Sequence, residues 1–136
     1  MRTKLLGVVA GAGLLMAAAA PAFAHHSFAA EFDIHKPVEL HGTVQEFQWT
    51  NPHSWLIIDV KAADGTMQRW RVEGGAPSPL LRRGWTKKTL VPGQQVVVKG
   101  FQAKDGSLRA NAQDIVFPNG KKMFFGTTHE SEGNVK

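Results

Sequence analysis

Three histidines, His25, His26 and His53, are the residues of this 136-residue chain best suited to holding a transition metal. Two of them follow Ala22-Phe23-Ala24, a small-x-small site of the kind at which a signal peptidase cuts. Cleavage after Ala24 makes His25 the first residue, and its free α-amine and Nδ1 then close a chelate ring around one ion. A nitrogen-rich, square-planar site of that kind suits Cu(II). Cleavage after Ala22 instead starts the chain Phe23-Ala24-His25. Histidine in third position, with the amine and two deprotonated amides, is also a Cu(II) and Ni(II) arrangement. Two nitrogens alone do not make a selective site, and histidines after a cleavage site are also simply polar residues that a peptidase accepts. His53 follows the Asn51-Pro52 turn and supplies a third ligand if residues 25–37 fold back over that end. Otherwise its imidazole orders the turn by bonding a backbone carbonyl. His41 is expected on the solvent face of a strand, His35 in an N-terminal arm and His129 in a polar tail, which makes all three weaker ligands.

Phe47, Trp49 and Trp55 gather around the same turn, in the phase opposite the expected core. With Asn51 they form a face that could stack a small ligand or receive a protein partner. The plainer expectation is a second small core covered by the N-terminal arm through Phe28 and Phe32. No catalytic set emerges: Asp33, Asp59 and Asp114 are scattered, Ser27 and Ser54 lack a nucleophile elbow, and Gly74-Gly75 reads as a strand end. The chain is therefore expected not to be an enzyme.

Residues 1–24 carry Arg2 and Lys4, an apolar stretch from Leu5 to Ala20, and the Ala22-Phe23-Ala24 site, the three parts of a cleavable signal peptide. Export to the periplasm follows, with no membrane span left after cleavage. The 112 residues that remain of 136 suffice for one domain. Without Arg2 and Lys4, 14 of the 16 Lys and Arg remain against 11 Asp and Glu, a net charge of +3. That balance implies no polyanionic partner. Arg69, Arg71, Arg82, Arg83, Lys87 and Lys88 could line a basic flank, but single-stranded nucleic acid is scarce outside the cytoplasm. The absence of cysteine excludes disulfides and thiolate metal sites, leaving nitrogen and oxygen ligands.

The elements that must position these residues read as strands. Residues 25–37 form an irregular arm. From Val38 the apolar residues alternate (Val38, Leu40, Val44), and a phase flip at Phe47 and Trp49 marks a β-bulge. A second strand runs from His53 to Lys61, and Ala63-Asp64-Gly65-Thr66 is a hairpin turn. A third strand spans Met67 to Glu73, with Trp70 and Val72 inward. Ser78 as N-cap, Pro79 at the first helical position and Gly84 beyond the end predict one short helix, with Trp85 and Leu90 packed under it. Further strands are expected at Gln95–Phe101 and Leu108–Phe117, then a hairpin remnant through Phe124-Phe125 and a polar tail from residue 126. The fold class is all-β: a small five-stranded OB-fold-like barrel over residues 38–125, with one helix between the third and fourth strands. An open β-sandwich is the rival, and the inserted helix favours the barrel.

The run His25-His26-Ser27-Phe28-Ala29-Ala30-Glu31-Phe32-Asp33, with Gly42-Thr43-Val44 and Trp49-Thr50-Asn51-Pro52-His53-Ser54-Trp55, resembles a bacterial family of small exported proteins known as the domain of unknown function numbered 6152. Arg83-Gly84-Trp85, Pro92-Gly93 and Asp105-Gly106-Ser107 are similar too. The resemblance implies location and fold and supplies no activity. An exported OB-fold with histidines is also similar to the haem chaperones of cytochrome c maturation. Those pair the haem histidine with a tyrosine, and this chain has none. Two readings remain: a small exported protein binding copper through His25, His26 and His53, and a non-metal module taking a small ligand or a periplasmic protein partner through Phe47, Trp49, Asn51 and Trp55.

Overall fold

A computed structural model describes residues 28–127. The chain divides into two compact units, Met1–Glu31 and Phe32–Lys136. Of the first, residues 28–31 form a helical turn. His25, His26 and Ser27, the leader and His129 lie outside the described residues.

The second unit is all-β. Its elements are β1 (Phe32–Gln48), β2 (Trp55–Lys61), β3 (Met67–Glu73), a short helix α1 (Pro77–Arg82), β4 (Gln95–Ala103), β5 (Arg109–Val116) and β6 (Lys122–Phe124). β1 pairs antiparallel with both β2 and β4, β2 with β3, and β4 with β5. A parallel pairing of β3 with β5 at Arg109, Ala110 and Asn111 closes the sheet into a five-strand ring, and β6 pairs with β5 farther along, at Asp114, Ile115 and Val116. The five strands and the helix between the third and fourth are those the sequence predicts. The sixth strand is short because Pro118-Asn119-Gly120 turns the chain back and only Lys122–Phe124 pairs before Gly126.

Alternation along each strand fills the ring. Leu40 and Val44 of β1, Leu56 and Ile58 of β2, and Trp70 and Val72 of β3 are buried together, with Val96, Val98, Ala110, Ala112 and Ile115 from β4 and β5. Leu80 of α1, Trp85, Leu90 and Phe125 complete this cluster. The Trp85 indole N–H is satisfied by donating to the Phe124 carbonyl at 2.9 Å.

Three local expectations are corrected. β1 starts at Phe32 rather than Val38, because Phe32 is buried and pairs with Ala103 of β4, and the register shift between Phe32 and Pro37 accommodates the proline. His35 thus sits on a strand. Helix α1 begins at Pro77 with Ala76 as an N-cap that makes no side-chain bond. Ser78 is inside the helix, where its Oγ accepts a bond from Arg82 Nη1 at 3.1 Å. Finally, the bulge in β1 lies between Val44 and Glu46 and changes which face is core. Val44 pairs with Ile58 and, after one extra residue, Phe47 pairs with Leu56. The extra residue returns Phe47 to the core side.

Candidate functional site

The β2–β3 hairpin determines what lies beside the Asn51-Pro52-His53 turn. Its tight turn is closed by bonds between Ala62 and Thr66 and between Gly65 and Ala62, with Asp64 Oδ1 accepting from the Thr66 backbone N–H and hydroxyl. From there the register runs without interruption to Trp55 opposite Glu73. The ladder continues past the strand end: Ser54 N–H donates to the Gly75 carbonyl and Gly74 N–H to the Ser54 carbonyl, each at 2.9 Å. His53 is therefore delivered to the end of β3, where Gly74 and Gly75 follow Glu73.

There the imidazole meets two acceptors. His53 Nδ1 lies 2.9 Å from Glu73 Oε1 and 3.2 Å from the Gly74 carbonyl oxygen. The Gly74 carbonyl can only accept, so Nδ1 donates to it, and the Glu73 carboxylate lies within ion-pair distance of the same nitrogen. The His53 side chain is 36% exposed and that of Glu73 11%. A carboxylate this sheltered requires a hydrogen-bonding partner to stay charged. Thr50 Oγ1 donates to the His53 carbonyl at 2.8 Å and pins the turn from the other side.

The surroundings of Glu73 are unusually polar for this chain. Among the described residues, the buried polar and charged side chains are Ser54, Glu73 and Asn111. All three meet at this place: Asn111 of β5 is the register partner of Glu73, and Ser54 pairs with Gly74 and Gly75.

The aromatic residues divide. Phe47 stacks at 5.8–6.3 Å centroid distances among Trp49, Trp85 and Phe125, so Phe47 and Trp49 pack on the core. Trp55 projects from the other face of the sheet, and the Arg71 guanidinium lies 4.0 Å above its ring. The expected cluster of Phe47, Trp49 and Trp55 is thus two separate groupings. Phe32 is at the opposite end of β1 from Phe47, with the Arg109 guanidinium over its ring. Asn51 is exposed. The basic residues are mostly engaged: Arg69 in a two-point pair with Asp59, Arg82 with Ser78, and Arg83 with the Gly126 carbonyl and the Phe124 ring.

His35 and His41 stand apart from this site on exposed positions of β1, with His41 Nε2 3.0 Å from Glu39 Oε1. Among the described residues, no three His, Asp or Glu side chains are grouped so as to hold a metal. His53 is legible from its place after the turn, whereas Glu73 becomes so only when residues are paired outward from the hairpin turn, which brings the end of β3 beside His53.

A family model described as "Family of unknown function (DUF6152)" matches residues 12–112, which include the whole Asn-Pro-His turn, Glu73 and most of the ring. No curated protein and no solved structure matches the chain. With about three-quarters of its length matched, the chain belongs to the DUF6152 family.

Proposed function

We propose that this protein is exported through a cleaved leader, acts as a small non-catalytic binding protein in the periplasm, and binds Cu(II) through His53 together with the amine and imidazole of His25, with His26 adjacent. The observation that supports this reading is the tied-down imidazole. A ring whose Nδ1–H is held by a backbone carbonyl, here that of Gly74 beside the Glu73 carboxylate, leaves Nε2 as the nitrogen that can take a metal, an arrangement common among metal-ligating histidines. The cysteine-free sequence leaves nitrogen and oxygen donors, and a set built on histidine nitrogens favours Cu(II) over harder ions. One histidine is not a site, so the remaining nitrogens must come from the mature N-terminus.

Isothermal titration with Cu(II) of protein recovered from periplasm, its first residue fixed by mass, tests this. One equivalent is expected to bind more tightly than micromolar, and His53→Ala or His25→Ala to weaken it about tenfold or more. Binding no tighter than micromolar and indifferent to both substitutions would sink the proposal. A protein complex that persists in chelator and is lost in Trp55→Ala would point to the partner-binding alternative.

A further inference from the structure

We propose that a cleft between loop 86–94 and the turn at 117–121 binds a small amphiphilic carboxylate, an apolar ring or short chain with one anionic head. The site is independent of the copper reading, since neither His53 nor Glu73 lines it. The cleft encloses about 390 Å³, within the range of small-molecule sites. Phe117, Pro118 and Met123 form its apolar floor, and Thr89, Gln94, Asn119 and Lys121 its polar walls. Phe117 and Met123 are half-buried, and the Phe117 ring lies 6.1 Å from that of buried Trp85.

Both walls are held by backbone bonds, so the cleft is formed before any ligand arrives. Thr89 N–H donates to the Thr86 carbonyl and closes one turn of loop 86–94. Gly93 N–H donates to the Val44 carbonyl, and Val44 N–H to the Gln94 carbonyl, which pins the loop to β1. The opposite turn is closed by Phe117 N–H to the Lys121 carbonyl and Gly120 N–H to the Phe117 carbonyl, each at 2.9 Å. Little ordering cost remains for binding to offset.

The same loops fix what the polar groups can offer. A backbone N–H only donates, so the amide atom facing it is the oxygen. Gln94 Oε1 accepts from Val91 N–H at 3.3 Å, and Asn119 Oδ1 from Lys121 N–H at 2.9 Å. Each side-chain amide keeps its N–H donors for a ligand, and Lys121 adds an ammonium group. Charge agrees with this. Residues 83–94 and 117–125 carry Arg83, Lys87, Lys88, Lys121 and Lys122 and no Asp or Glu. Arg83 is engaged by the Gly126 carbonyl and Lys122 by Asp114, whereas among the described residues Lys87, Lys88 and Lys121 form no ion pair. Donors and positive charge above an apolar floor suit a carboxylate, which only accepts, on an apolar body. A flat bilayer surface does not reach a concave floor, which favours a free molecule.

Cinnamate, a planar ring with one carboxylate, is the probe, and cinnamamide is its neutral control of the same shape. In proton–nitrogen correlation NMR of the whole protein, cinnamate is expected to saturate at millimolar concentration or below. The largest shifts are expected at Thr89, Gln94 and residues 117–123. Cinnamamide is expected to bind about threefold to tenfold more weakly. Lys121→Glu, an exposed change that leaves the apolar floor in place, is expected to weaken cinnamate by a similar factor while its spectrum stays that of a folded protein. Shifts centred elsewhere, failure to saturate, or equal binding of cinnamate and cinnamamide would overturn the site. Wild-type affinity in Lys121→Glu would do the same. Adsorption to phosphatidylglycerol vesicles without cinnamate binding would overturn it in favour of a lipid surface.

Discussion

At the scale of single residues, the site depends on a glycine as much as on its two ionisable groups. A Cβ added to Gly74 would sit 2.7 Å from Phe125 Cδ1 and closer still to two other ring atoms. Phe125 is fully buried against Trp85 and Phe47, so the ring has nowhere to retreat. Gly74→Ala is therefore expected to lower stability by about 1–3 kcal/mol, the range for overpacking a close-packed core. Urea unfolding followed by tryptophan fluorescence measures it, and an unchanged midpoint would show that the segment yields. The substitution also pushes on the residue whose carbonyl accepts from His53 Nδ1, so copper affinity is expected to fall with stability. Gly74-Gly75 was legible only as a strand end. That the first glycine seats an aromatic ring depends on Phe125, some 50 positions later, which no local pattern reveals. Phe47 failed to read correctly for a related reason. The phase flip identified the bulge, but a bulge inverts the meaning of the alternation that follows it.

At the scale of elements, turns were the most readable parts and strand ends the least. Ala63-Asp64-Gly65-Thr66 and Lys104-Asp105-Gly106-Ser107 carry their own chemistry: an aspartate that accepts from residues two positions on, and a glycine with φ of 88° or 74°. Such signals are local and survive any tertiary context. The start of β1 is different. Asp33, Ile34, His35 and Lys36 show no apolar alternation, and the strand exists because Phe32 finds a buried place beside Ala103.

The β2–β3 hairpin also bears a pH-dependent contact. Asp59 and Arg69 face each other in register, and hydrogen bonds from the Arg69 side chain hold the Asp59 carboxyl below the usual aspartate range. Because the folded-state value is depressed, the contribution is present in full above the unfolded value near 3.8 and is lost as pH falls through the lowered one. The Thr66 hydroxyl lowers Asp64 in the same way. Asp59→Asn is expected to unfold at a lower temperature than wild type at neutral pH, with the gap narrowing on acidification and gone by about pH 2. Thermal melts across that range measure it, and a gap independent of pH would assign the effect to packing instead.

At the scale of the whole ring, one residue near the C-terminal end ties the closure to the site. The β3–β5 seam has three paired positions, Arg71 with Arg109, Val72 with Ala110 and Glu73 with Asn111. Past its end, Phe125 fills the gap. Its N–H donates to the Gln113 carbonyl at 2.7 Å, its carbonyl accepts from Gly75 N–H at 2.8 Å, and its ring stacks 5.0 Å from Trp85. A continuous path of bonds thus runs from Gln113 of β5 through Phe125 and Gly75 to Ser54, the neighbour of His53. Phe125→Ala removes a fully buried aromatic ring and leaves a cavity, and is expected to cost about 3–5 kcal/mol. The half-buried Met123, two residues earlier, gives a control: Met123→Ala is expected to cost clearly less, because solvent already reaches it. At a denaturant concentration where both variants remain folded, Phe125→Ala is further expected to weaken Cu(II) binding, because its ring supports Gly74, whose carbonyl accepts from His53. Equal losses of stability in the two variants would show that Phe125 is an ordinary core residue. A destabilised Phe125→Ala protein with wild-type copper affinity would separate the fold's closure from the geometry around His53, which would then be held by the β2–β3 hairpin alone.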